Sequence, residues 1–188
     1  MIKSYNLVMH KMVFFVLSGM LLTCSSEPLI TSTSEADVTS LDSKITIQKD
    51  ANKSNRLHFT ASLKGSNETT PNDSNATGQA IVHINKEETM IHYKLIVSNI
   101  ENVTMAHFHM GAAGTNGGVV VWLYDNRTGQ PSGIFNGVLA EGYINESDLT
   151  GGLTGKTIGD LVEAIRDGLI YVNVHTTAIG SGEIRGQL

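Results

Sequence analysis

The sequence predicts an all-β sandwich carrying one short inserted helix at about residues 157–168. Three observations lead there. Short runs of alternating apolar and polar residues recur along the second half and more of the chain, each bounded by turn residues. Glycine is abundant (19 of 188 residues), and charged residues make up 16 %, below the usual share of about a quarter. Only one segment shows the spacing of a helix.

The elements follow in order. Leu57, Phe59, Ala61 and Leu63 alternate with polar neighbours, as on a half-buried strand. Gly65 to Gly78 is a polar loop. Ala80, Val82 and Ile84 alternate, and so do Ile91, Tyr93, Leu95 and Val97. The Lys86-Glu87-Glu88 turn between these two runs makes them a hairpin. Val103 to Met110 is a further strand. Gly111 to Gly118 holds four glycines and reads as a loop. Val119 to Tyr124 is continuously apolar, which predicts a strand buried on both faces. Ile134 to Ile144 supplies another strand. From Thr157 to Gly168, the residues Ile158, Leu161, Val162 and Ile165 follow the i, i+3, i+4, i+7 rule; Thr157 caps the start and Gly168 ends it. Leu169 to His175 and Glu183 to Leu188 close the list of strands.

The start of the chain has the features of an export signal. Lys3, His10 and Lys11 precede an apolar stretch from Met12 to Leu22, long enough for a signal core and too short for a comfortable membrane span. Cys24 follows Leu21-Leu22-Thr23, which is similar to a bacterial lipoprotein cleavage site; Thr23 departs from the usual small residue. Lipid anchoring at Cys24 and plain secretion both remain open. Residues 25–55 are rich in Ser, Thr, Asp and Lys and read as a flexible tether before a folded domain spanning 56–188. Cys24 is the single cysteine, so a domain beginning after it holds no internal disulfide. Seven Asn-X-Ser/Thr sequons, at Asn52, Asn67, Asn72, Asn75, Asn102, Asn126 and Asn145, fit exposure to a glycosylating environment. The formal charge of −5 argues against a nucleic-acid partner.

Chemistry concentrates in histidines. His107 and His109 are two residues apart on a strand and so share a face. His175 sits on a later strand, in phase with Tyr171 and Asn173. Three neutral imidazoles suit copper, zinc, iron or nickel. The same rings could equally be buried and hydrogen-bonded. The Gly111–Gly118 loop lacks a phosphate-loop lysine and a following helix, so its role is conformational. Glu183 and Arg185 share a strand face, either as an ion pair or with Glu183 as a fourth ligand or a partner orienting a histidine. His58, His83 and His92 lie out of phase with the apolar residues and are expected to face solvent. No nucleophilic catalytic set can be assembled.

Ala106-His107-Phe108-His109-Met110-Gly111, Gly114-X-Asn116-Gly117, Tyr171-Val172-Asn173-Val174-His175-Thr176 and Gly182-Glu183-Ile184-Arg185-Gly186-Gln187-Leu188 together resemble the CHRD domain, a family named for chordin and common in microbial secreted proteins. The resemblance runs over about residues 57–188 and takes in Leu57-X-Phe59-X-Ala61-X-Leu63-X-Gly65. It implies an immunoglobulin-like Greek-key sandwich with a distant similarity to copper/zinc superoxide dismutases. In that comparison His107, His109, His175 and Arg185 stand in the order of a copper site. No histidine lies between His109 and His175, so the bridging and zinc-loop ligands of those enzymes have no counterpart.

The leading expectation is an exported module without defined catalysis, secreted or held at the cell surface. Its partner would be an extracellular protein or cell-surface component, and it would meet a membrane only through the signal segment or a lipid. The rival is an envelope protein that binds copper or zinc through His107, His109 and His175, with or without redox activity. A third reading joins the two: the metal stabilises a sandwich that has no disulfide.

Overall fold

The structure is a computed structural model that describes residues 55–188 together with Lys44 and Lys53. The export segment 1–24 with Cys24, the sequon at Asn52 and nearly all of the 25–55 tether lie outside the described residues. Among the described residues no helix is long and apolar enough to cross a membrane.

Among the described residues eight strands are present: β1 (His58–Lys64), β2 (Thr77–Ile84), β3 (Ile91–Glu101), β4 (Val103–Met110), β5 (Gly118–Asp125), β6 (Ile134–Ile144), β7 (Ile170–Thr176) and β8 (Ile184–Gln187). The helix α1 (Ile158–Arg166) lies between β6 and β7. Over residues 55–188 the fold is therefore all-β with one α-helix inserted between β6 and β7, as the periodicity predicts. The sandwich is built from one continuous antiparallel sheet, in the order β5-β4-β7-β8-β1-β2-β3-β6. One half comprises β5, β4, β7 and β8, the other β1, β2, β3 and β6, and they join where Lys64 pairs with Arg185. The seam is missing from the sequence pattern because one cross-strand pair leaves no periodic trace.

The halves share one core. Phe59, Leu63, Val82 and Leu95 from the first half cluster with Ala106, Phe108, Val121, Val172 and Ile184 from the second. Each set alternates with outward residues, so burial of the apolar face fixes the register. The amphipathic helix buries Ile158, Leu161, Val162 and Ile165 in the same cluster. Its start is a capping box. Asp160 N–H donates to Thr157 Oγ1 at 3.3 Å, and Thr157 N–H donates to Asp160 Oδ2 at 2.8 Å. Its end turns at Gly168, whose φ of +68° favours a residue without a Cβ.

Two strands differ from expectation. β5 is not buried on both faces: Trp122 is 40 % exposed, and Val119 and Tyr124 are half-buried. It is the terminal strand of its half, so its outward side chains have only one neighbouring strand to pack against. β7 is the converse. Its alternation suggests one open face, yet every residue from Ile170 to Thr176 is buried. It runs between β4 and β8, and loops close over the face carrying Tyr171, Asn173 and His175.

Candidate metal centre

Neighbouring strands bring the three histidines together. In the β4/β7 ladder His107 lies opposite Asn173, His109 opposite Tyr171, and Met105 opposite His175. The three imidazoles thus occupy one patch on the face away from the core. One ring nitrogen from each lies within 4.8 Å of one from each of the others. A tetrahedral ion with bonds of about 2.0–2.1 Å holds its nitrogens roughly 3.3 Å apart. The rings therefore need to close by at most about 1.5 Å to share an ion.

Backbone carbonyls set the protonation of two rings. His109 Nδ1 is 2.9 Å from Gly117 O, and His175 Nδ1 is 2.9 Å from Gly180 O. A carbonyl only accepts, so each Nδ1 carries the hydrogen and each Nε2 presents a bare lone pair. That is the second-sphere arrangement by which proteins orient ligand histidines. His107 Nδ1 lies 3.3 Å from His175 Nε2. Among the described residues the buried His107 Nε2 and His109 Nε2 have no hydrogen-bond partner. Two unpartnered buried nitrogens beside a third ring are a cost unless something binds them.

Electrostatics keep the rings neutral. Burial lowers the His107 pKa to about 3, with further lowering from His175, His109 and Arg127 and a small opposing pull from Asp125. Burial also lowers His109 and His175, against the raising effect of their carbonyl bonds. Neutral imidazole is the form a metal needs, because ligand and proton compete for the same lone pair.

Aromatic groups wall the patch. Trp122 meets His107 edge to face with centroids 4.2 Å apart, and the Arg127 guanidinium lies 4.5 Å over the indole. Asp125 holds Arg127 through hydrogen bonds of 2.9 and 2.7 Å, and that contact keeps the Asp125 pKa down at about 2. On the other side Tyr171 stacks on His109, with centroids 4.8 Å apart and planes 7° from parallel. Arg185 sits 3.4 Å over the Tyr171 ring. A cleft of about 200 Å³, lined by Glu68, His109, Tyr171, Asn173 and Gly182 among others, reaches the His109 side from solvent. Glu68 accepts a 2.6 Å hydrogen bond from Asn173, and burial raises its pKa against the pull of Arg185.

Glu183 stands apart from the rings. Its carboxylate accepts from Ser74 Oγ at 2.6 Å and from Thr176 Oγ1 at 2.5 Å, so it ties the loop before β2 to the end of β7. It is neither among the converging ligand groups nor a hydrogen-bond partner of any of the three rings. Nor does it pair with Arg185. That guanidinium donates to Thr115 O at 2.7 Å and pins the glycine loop. Strand parity alone could not foresee this, because Glu183 precedes β8 and turns toward the Ser74 loop.

The sequons divide by what their amides do. Nδ2 of Asn67 donates to Ser62 O and Arg185 O, that of Asn72 to Glu183 O, that of Asn102 to Glu101 Oε1, and that of Asn126 to Gln130 O. Asn75 and Asn145 are exposed, and among the described residues their Nδ2 atoms make no hydrogen bond.

Sequence reasoning missed Trp122, Glu68 and the stacking role of Tyr171. Only Tyr171 left a signal, since it shares the parity of His175. His58, His83 and His92 face outward as expected, although His92 is only half exposed, and they belong to the other half of the sheet.

No curated protein and no solved structure matches the chain. The profile of the CHRD domain family matches residues 59–188, which takes in β1 from its second residue, the seven later strands and all three histidines of the patch. The chain belongs to the CHRD domain family.

Proposed function

We propose that this protein is a non-catalytic CHRD-domain module acting outside the cell, secreted or surface-held, whose structure depends on one copper or zinc ion bound by His107, His109 and His175. The observation that carries the reading is the convergence of three neutral imidazoles with two of their Nε2 atoms buried and unpartnered. The ion would supply the partner those nitrogens lack. It would tie β4 to β7 and, through the carbonyl bonds of Gly117 and Gly180, fix two loops at that end of the domain. A domain whose lone cysteine lies at position 24 gains from such a cross-link, since it has no disulfide of its own. The His109 cleft leaves room for a further small ligand.

The test uses protein purified without a histidine tag. Metal analysis is expected to give one equivalent, lost when His107 and His109 are both replaced by alanine. At a free ion concentration 100-fold above Kd the native state gains about 2.7 kcal/mol, or roughly 10 °C in Tm for a domain of this size. A chelator should remove that gain in the wild type and do nothing to the variant. A metal-free protein whose Tm ignores both chelator and added Cu(II) or Zn(II) overturns the reading. Export is checked separately by fractionating cells that express the whole chain; retention in the cytosol refutes it.

A further inference from the structure

The remaining described histidines form a second group, far along the sheet from the first. The register places His58 opposite His83, and His83 opposite His92, so the three lie in one row across β1, β2 and β3. Tyr143 extends the row onto β6, opposite His92. The ring centroids are 4.4 Å apart for His58 and His83, 6.3 Å for His83 and His92, and 5.0 Å for His92 and Tyr143. These rings, with Met90, line an open depression of about 250 Å³. His92 Nε2 lies 3.2 Å from Glu141, whose other oxygen pairs with Lys94 at 3.0 Å. Among the described residues neither His58 nor His83 uses a ring nitrogen in a hydrogen bond.

We infer that His58 and His83 form a solvent-facing chelate for a divalent transition-metal ion, with copper(II) the preferred ion and the His92–Glu141 pair flanking it. Two imidazoles bound side by side at about 2.0–2.1 Å put their centroids roughly 4.5–5 Å apart, and the pair already stands at 4.4 Å. Direct cross-strand positions hold the two Cβ atoms about 5 Å apart without further ordering, so little conformational freedom is lost on binding. Imidazole donors with open water positions favour copper(II) over the other first-row divalent ions. Slight desolvation and the neighbouring His58 and His92 lower the proton affinity of His83, so a proton competes less with a metal for its lone pair. His92 is too far from His83 to join the same side-by-side pair and is held by Glu141. This site rests on no part of the reading for His107, His109 and His175.

The single tryptophan separates the two sites, because Trp122 touches His107 and no residue of the outer row. The tag-free full chain is titrated with copper(II) in buffer containing excess glycine and followed by calorimetry, electron paramagnetic resonance and Trp122 fluorescence. In His58→Asn/His83→Asn one copper equivalent should weaken at least about tenfold while the fluorescence response stays as in the wild type. In His107→Ala/His109→Ala that same equivalent should persist. Both outer positions are exposed, so without copper the variant is expected to melt at the wild-type Tm. A copper isotherm in His58→Asn/His83→Asn that superimposes on the wild type, or copper held by glycine with none on the protein, overturns the inference whatever the inner site does.

Discussion

The neutral state of His107 makes a quantitative demand on stability against pH. In the unfolded chain a histidine titrates near 6.5, whereas the folded environment lowers His107 to about 3. Above pH 6.5 the ring is neutral in both states and its burial is uncontested. As pH falls below 6.5 the unfolded chain takes up a proton that the folded chain refuses, so the unfolded state gains ground. The loss continues until the folded ring also protonates near pH 3, and there it levels off. One pH unit is worth about 1.4 kcal/mol per group, so two units below the unfolded value, at about pH 4.5, His107 alone accounts for roughly 3 kcal/mol. His109 and His175 are shifted in the same direction and add to it. The measurement is urea unfolding of the chelator-treated protein at pH 7 and pH 4.5, for wild type and His107→Gln. Carboxylates titrate in both proteins, so the difference between the two pH dependences isolates the ring. Glutamine should remove roughly 3 kcal/mol of the acid-induced loss. Identical pH dependence in the two proteins would refute the claim that His107 is held neutral by burial.

Other outcomes follow from packing and backbone geometry. Phe108 is fully buried between the histidines of β4, and Phe108→Ala should cost about 3–5 kcal/mol in urea unfolding. A Cβ on Gly117 would sit 1.7 Å from Met110 O, so Gly117→Ala must shift the loop whose carbonyl holds His109. It should lower Tm and weaken metal binding together, whereas Gly114→Ala, with open space around its Cβ and a φ of +77°, should cost about 1 kcal/mol and spare the metal. Expressed in a host that glycosylates asparagine, the chain should carry glycan at Asn75 and Asn145, with Asn67, Asn72 and Asn126 left bare; mass spectrometry of glycopeptides decides this.

How much was legible in the sequence depends on what kind of constraint each feature obeys. Strands were readable where burial of one face imposes a period of two: in β1, Phe59, Ala61 and Leu63 are buried and the residues between them exposed. The helix was readable down to its cap, since Thr157 and Asp160 satisfy a local hydrogen-bonding need. The grouping of His107, His109 and His175 followed from parity plus one correct strand adjacency. Long-range contacts left no such trace. Glu183 satisfies Ser74 and Thr176, and nothing in its neighbours announces that. Trp122 meets His107 edge to face where β5 ends its half of the sheet, which composition cannot reveal. The outer row was partly within reach. The hairpin around Lys86-Glu87-Glu88 pairs Ile84 with Ile91 and so commits His83 to His92. His58 was not, because a long polar loop separates β1 from β2.

His109 and His175 are each tethered through Nδ1 to a main-chain carbonyl on a different loop. Those loops cannot drift without turning the rings, and the rings cannot turn without dragging the loops. Whatever grips the Gly117 or Gly180 segment from outside would therefore alter how tightly an ion sits within, and by thermodynamic reciprocity the ion would alter that grip by the same factor. With the proposed ion bound, a domain wired this way would report the metal content of its surroundings to a neighbour that never touches the metal.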